Sequence, residues 1–397
     1  MANRYWLRDV PLRTLTNRTS CKSCGTTRGG LVTLSRVLGA DEGSVPAVAI
    51  QGLNACASFW LCSACAAKIG SHRGQEVEAG LRAAYERGWG AVMGLVSVPH
   101  DNEPLVAVWQ RLRDAWGALT DSGRWWRNFK STWGIEGIIW GDDVTHGRLY
   151  GWNPHRHVIL ITSRPLSGEE ASALGAAIVA RLTKWARSQR LPPPVAAANG
   201  WTPVREPDVA RLAHYVSGGT REKTGAGDEL RAAASELART DRKRGQDGRT
   251  RFELLRDAYE ACEASGGDLA AAALWFEFED ASRLKTAIRW SNGLKVTLGV
   301  REATDEEAVR EVVAEGPVVE TCEVLAGEWT ALVVAVPGRE VVARLAFRDG
   351  GSALLFSLLG EWGRAGPIRY MHVTNGCQTG LASDSDLLSE VAIGPAR

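Results

Sequence analysis

The chain has 397 residues, eight cysteines and a formal charge of +1, from 47 Lys and Arg against 46 Asp and Glu. That length suits two or three domains with a sizeable core, and the near-neutral balance leaves any nucleic-acid binding to local basic clusters. No run of eighteen apolar residues marks a membrane span, and the basic opening "MANRYWLRDVPLRTLTNRTS" lacks the apolar core of a secretory signal. A cytoplasmic location is expected, with cysteines that bind metal or stay as thiols.

In chain order, residues 1–72 are cysteine-bearing and loop-rich and are read as a zinc-binding N-terminal module. Val77, Leu81, Ala84 and Tyr85 predict a helix over 73–90, and "AVMGLVSV" (91–98) a buried strand. Leu105, Val108, Trp109, Leu112, Trp116 and Leu119 form one helical stripe, broken by Gly123 and Gly134. "IEGIIWGDDV" (135–144) and "HRHVILIT" (155–162) are strand-like, and the turn-rich "THGRLYGWNP" between them predicts an antiparallel hairpin with a long loop. Ser167 and Glu170 make a capping box that opens a helix running to about 190, and "LPPPVAAANG" ends it. A short helix over 207–217, in "PDVARLAHYVSGG", follows. Beyond 220 charged helix formers continue to about 285, interrupted by the basic "RTDRKRGQDGRTR". The last hundred residues contain the acidic "REATDEEAVREVVAEG", a strand in "WTALVVAVPG" and a final helix. These elements predict an α+β protein, a central antiparallel sheet with packed helices. The expected divisions are 1–72, a sheet domain over 73–220, a helical basic extension over 221–300, and 301–397, the C-terminal region being mostly helical.

Two kinds of metal site suggest themselves. Cys21-x-x-Cys24 and Cys62-x-x-Cys65 supply four thiolates, the set that tetrahedral zinc favours, and Cys56 is close enough to replace one of them. On a strand, His155 and His157 project from one face while Arg156 projects from the other. A hairpin would bring Asp142 and Asp143 opposite the histidines, and either carboxylate could complete a two-imidazole, one-carboxylate site with open positions for substrate. Nitrogen ligands tilt such a site from Mg²⁺ towards Mn²⁺.

On the predicted helix 207–217, Tyr215 has Arg211 and Asp208 one and two turns before it on its own face. A phenol beside an arginine and a metal suits attack on a phosphodiester. In "RWWRNFK" the cations Arg124, Arg127 and Lys130 alternate with aromatics, although Trp126, Phe129 and Trp133 repeat at the spacing of a core face. Arg242, Lys243 and Arg244 in the basic loop are candidate phosphate contacts.

Over about residues 50–295 the chain resembles the rolling-circle replication initiators of the HUH endonuclease superfamily, in particular the single-tyrosine Rep proteins of actinobacterial plasmids. "CASFWLCSACAAKI" is similar to the family's entry into its catalytic domain, and "GLVSVPH" to the first motif. "DDVTHGRLYGWNPHRHVILI" resembles the second, "LAHYVSG" the tyrosine motif, and "AIRWSNGLK" a downstream tract. The resemblance implies the HUH fold, with His155, His157 and Asp143 as ligands of Mn²⁺ or Mg²⁺, Asp142 as the alternative, and Tyr215 as nucleophile. It implies nicking and joining of a plasmid origin, single-stranded or hairpin, in a bacterial cytoplasm, with host helicase and polymerase as partners. The chain departs from the pattern in three places. Arg156 stands between the histidines where a hydrophobic residue is usual, so its guanidinium must reach solvent or DNA. Gly218 replaces a lysine, for which Lys223 is the nearest substitute, and Arg211 replaces a glutamate, leaving Asp208 or Glu206 for the terminating cleavage. The rival reading is a non-catalytic zinc-containing DNA-binding protein, and a related transposase or relaxase would share the same residues.

Overall fold

The computed structural model describes residues 4–28, 31–37, 47–121, 123–205, 248–283, 285–310, 318–325, 330–335, 343–347 and 369–374. They belong to two compact units: Leu7–Lys22 with Ala57–Val309, and Met1–Trp6 with Ser23–Cys56 and Arg310–Arg397.

The smaller unit carries two three-stranded antiparallel sheets. In one, Leu31–Val37 lies between Ala47–Gln51 and Val318–Leu325; in the other, Thr330–Ala335 lies between Ala343–Phe347 and Arg369–Thr374. Among the described residues four strands follow residue 317, which corrects the expectation of a mostly helical C-terminal region. Their sequences explain it: "VVETCEVL" and "TALVVA" are rich in Val and Thr, whose branched side chains suit a pleated surface better than a helix.

In the larger unit, helix α1 (Ser63–Glu86) leads into strand β1 (Gly90–Ser97), then helices α2 (Leu105–Thr120) and α3 (Arg124–Trp133). Strands β2 (Ile135–Gly147) and β3 (Gly151–Thr162) form the central hairpin, followed by helix α4 (Gly168–Ser188) and strand β4 (Trp201–Val204). Strand β5 (Gly248–Thr250), helices α5 (Arg251–Ala264) and α6 (Ala273–Ala281), and strand β6 (Arg289–Trp290) complete it. The sheet runs β4-β1-β3-β2-β5, antiparallel throughout, with β6 also beside β2. The chain is thus α+β with a central antiparallel sheet. Helix α1 starts at Ser63 and runs through residue 72, where the change in composition had suggested a boundary.

The hairpin is tighter than its sequence suggested. Pairing continues to Gly147↔Gly151, so "THGRLYGWNP" is mostly ladder and only Arg148, Leu149 and Tyr150 turn the corner. Gly151 takes a left-handed conformation (φ +65°), which closes a three-residue turn, and a Cβ there would also lie 3.1 Å from the Asn102 backbone. Pro154 is tolerated inside β3 because β1 ends at Ser97↔His155, leaving Pro154 a neighbour on one side only.

Helix α2 packs on β1 and β3 and against α4, burying Leu105, Val108, Leu112, Ala115 and Leu119. Its Trp116 meets Trp140 of β2, so it covers the sheet face that carries Arg156, Val158 and Leu160. On the opposite face, Trp290 abuts Gly80 of α1, and Leu294 sits where Gly137 has no side chain. Glu76 of α1, buried, accepts from Arg73 at 2.6 Å and Lys295 at 3.1 Å, and Arg73 also reaches Asp305 at 2.6 Å. The "AIRWSNGLK" tract therefore works structurally, tying α1 to β2.

Trp201 is slotted between two glycines: a Cβ on Gly94 would stand 2.1 Å from its ring and one on Gly175 2.6 Å. Gly94→Val must displace that ring, and is expected to lower the unfolding free energy by about 1–3 kcal/mol. The loss should appear as a reduced urea midpoint at unchanged slope.

Candidate metal centre

The pleat of β3 aims His155 and His157 to one face, and the register with β2 sets Asp143 opposite His155 and Gly141 opposite His157. Ser97 and Leu95 flank them from β1. One ligating atom each from Asp143, His155 and His157 lies within 4.8 Å of the others. His155 Nε2 stands 3.7 Å from Asp143 Oδ2, while Asp143 Oδ1 accepts from the Val144 amide at 2.8 Å. His155 Nδ1 is 3.1 Å from the Asn153 carbonyl. A proton on that nitrogen, donated to the carbonyl, leaves Nε2 with its lone pair towards the carboxylate. Asp143 and His157 are buried and His155 is partly open.

This donor set fits a divalent cation. Atoms bound at about 2.1 Å to one ion stand no more than about 4.2 Å apart, so small side-chain rotations close the group. Three protein ligands, one of them at the surface, leave coordination positions open to a substrate.

Asp142 belongs to the other face. Alternation turns it away from the histidines and opposite Arg156, whose Nε and Nη2 donate to it at 2.6 and 2.9 Å. Trp109 Nε1 donates to the same carboxylate at 3.3 Å, and the Arg156 guanidinium lies 5.0 Å from the Trp116 ring. This corrects two expectations: Asp142 is not beside the imidazoles, and Arg156 is buried, reaching a carboxylate instead of solvent or DNA.

Of the candidate zinc ligands, Cys24 and Cys56 belong to the smaller unit and Cys21, Cys62 and Cys65 to the larger one. Cys21 is buried in the short helix Thr19–Lys22, so its CxxC spacing to Cys24 spans a helix end and not a knuckle turn. Cys62 and Cys65 sit at the start of α1, whose N-terminal amides favour thiolates.

Supports for the histidine face were missed from the sequence. Buried Asn199 accepts from the Ser97 amide at 3.0 Å and donates to the Ser97 hydroxyl at 3.3 Å, holding the end of β1 beside His155. Arg111 of α2 bonds Glu103 and the Pro99 carbonyl, both at 2.7 Å, pinning the segment after β1. The Asn-Gly pair at 199–200 was visible only as a turn signal, and neither support has a motif of its own.

Arg124, Arg127 and Lys130 line the exposed side of α3, while Trp126 and Phe129 are buried, as the helical spacing indicated. Asp208, Arg211, Tyr215, Lys223, Arg242, Lys243 and Arg244 lie outside the described residues.

The chain is similar to a Rep protein. It shares 27% identity over 312 residues with a Streptomyces lividans protein named "Protein rep", covering 65% of this chain and 66% of that relative's length. No family model and no solved structure matches the chain. Among the described residues no helix is long and apolar enough to cross a membrane.

Two contrasts test the geometry. Asp143→Ala is expected to weaken Mn²⁺ binding by at least about 100-fold, the upper range for losing even an outer-shell partner. Asp142→Ala should retain the ion but lose about 3–5 kcal/mol of stability by stranding Arg156; calorimetric titration and urea unfolding read the two effects separately. Cys62→Ser should release zinc, measured as metal per chain after dialysis.

Proposed function

We propose that this chain is a plasmid replication initiator of the HUH type, an origin-binding, metal-dependent enzyme that nicks and rejoins single-stranded DNA through a tyrosine. The observation that carries the reading is the Asp143–His155–His157 group on one sheet face. The similarity to the Streptomyces Rep protein supports the replication role. Arg156, the strongest departure from the family pattern, is consistent with it, because its charge is neutralised by Asp142 on the opposite face.

In this reading Tyr215 is the nucleophile. Its phenolate oxygen forms a bond to phosphorus as the bond from phosphorus to the 3′ oxygen breaks. The protein keeps the 5′-phosphoryl group as a phosphotyrosine, and the departing oxygen takes a proton to become the 3′-OH that primes synthesis. A divalent ion held by Asp143, His155 and His157 would withdraw charge from the non-bridging oxygens of the scissile phosphate. The chain's own part is orientation. Asp143 and the Asn153 carbonyl hold the His155 ring from two sides, and Gly141 leaves space across from His157. Joining is the reverse attack by a 3′-OH on the phosphotyrosine. Asp208 and Arg211 are proposed to assist around Tyr215, and Lys223, Arg242, Lys243 and Arg244 to contact phosphates. Structural zinc would be held by four of Cys21, Cys24, Cys56, Cys62 and Cys65.

Incubation with origin oligonucleotide and Mn²⁺ should give a covalent adduct that survives denaturing electrophoresis. Tyr215→Phe and His157→Ala should each abolish it while binding of the oligonucleotide persists. An adduct on Tyr215→Phe would overturn the nucleophile assignment.

A further inference from the structure

The face of the sheet behind the metal centre carries cations that the proposed chemistry does not use. Lys285 places its ammonium 3.9 Å from the Trp109 ring and is only partly exposed. Arg113, one helical turn beyond Trp109 on α2, and Arg289, paired with Trp140 across β2 and β6, are exposed. Among the described residues none of these three forms an ion pair; the Arg289 Nε bonds only the Thr286 hydroxyl, at 2.8 Å. The nearby carboxylate, Asp142, is engaged by Arg156 and Trp109. Burial, joined by the positive charge of Arg113, Arg156 and Arg289, pushes the Lys285 ammonium down to about 8 despite the pull of Asp142. Cations crowded this way favour an anion. Trp116 and Trp140, half-buried with ring centroids 5.7 Å apart, lie among them.

The sheet has an opening at the same height. Along its outer edge β2 pairs with β6 at Ile139 and Trp140 and with β5 from Thr145 onward, and no described strand covers Gly141–Val144 between them. That gap adjoins Asp143 on one face and Asp142 on the other.

We propose that Arg113, Lys285 and Arg289, with Trp116 and Trp140, form a second nucleic-acid site that binds the phosphodiester backbone of single-stranded DNA on the face opposite the metal centre. The cations neutralise phosphates and the indoles stack on unpaired bases. The strand passes round the uncovered edge of β2 from one face to the other. The site rests on the DNA-nicking reading for the identity of its ligand, and adds where the strand continues after the scissile phosphate.

The test uses the full chain with Arg113 and Arg289 reversed together to glutamate, both being exposed. The control is K184E/R187E, which makes the same charge change on exposed positions of α4. Binding of a labelled oligo-dT of about 20 nucleotides, long enough to pass more than one contact point, is followed by fluorescence anisotropy across a salt series. R113E/R289E is expected to bind about tenfold more weakly or worse, and to lose roughly 1.4 from the slope of log affinity against log salt, about 0.7 per lost phosphate contact. Equal affinity and slope for R113E/R289E and K184E/R187E overturns the site, and so does a loss as large for the duplex as for the single strand. If wild type binds through these residues but forms no adduct, the nicking reading fails and this site stands. If the adduct forms and R113E/R289E binds as wild type does, the reverse holds.

Discussion

The register between β2 and β3 is the constraint on which the chemistry depends. Side chains on paired strands alternate with a period of two, so one register sends Asp143, His155 and His157 to one face and Asp142 and Arg156 to the other. A slip of one residue would exchange the two sets, presenting an ion pair where the cation belongs and burying imidazoles against α2. What secures the register is mostly apolar: Ile159 and Ile161 on the histidine face and Val158 and Leu160 on the other are all buried further down β3. The three-residue turn closed by Gly151 adds a covalent limit.

The Asp142–Arg156 pair is more than a by-product of alternation. Both groups are largely shielded from water, so each would be costly without the other, and two bonds between guanidinium and carboxylate fix their relative geometry. The pair lies directly behind the metal ligands. The same residues also set the charge of the rear face, because a neutralised Asp142 leaves Lys285 and its arginine neighbours without a counterion among the described residues.

Other parts of the larger unit serve mainly to hold the sheet's upper edge in place. Asn199 ends β1 at Ser97, Arg111 ties the following segment to α2, and Glu277 accepts from the Leu105 amide at the start of that helix at 2.6 Å. Thr16, Asn17 and Arg18 converge on buried Glu279 of α6, anchoring the early segment to the helical layer. None of these contacts carries a local pattern, because each joins residues more than ten positions apart whose only common feature is their place in the fold.

The amino-acid sequence by itself determined the α2 stripe, the capping box of α4, the pairing of β2 with β3 and the shared face of the two histidines, since all of these follow from periodicity and neighbours along the chain. Asp142 against Asp143 was a choice that local pattern left open: both end a strand-like run, and only the register across the hairpin separates them. Spacing likewise left open which of Cys21 and Cys56 completes a zinc set, since it cannot tell a knuckle turn from the end of a short helix. Beyond residue 317 the strand Thr330–Ala335 was legible in "WTALVVAVPG", whereas Val318–Leu325, Ala343–Phe347 and Arg369–Thr374 were not read as strands. Only the tertiary structure decided the partner of Arg156, the role of Asn199 and the gathering of Arg113, Lys285 and Arg289, because burial and charge balance are set by elements brought together from distant parts of the chain.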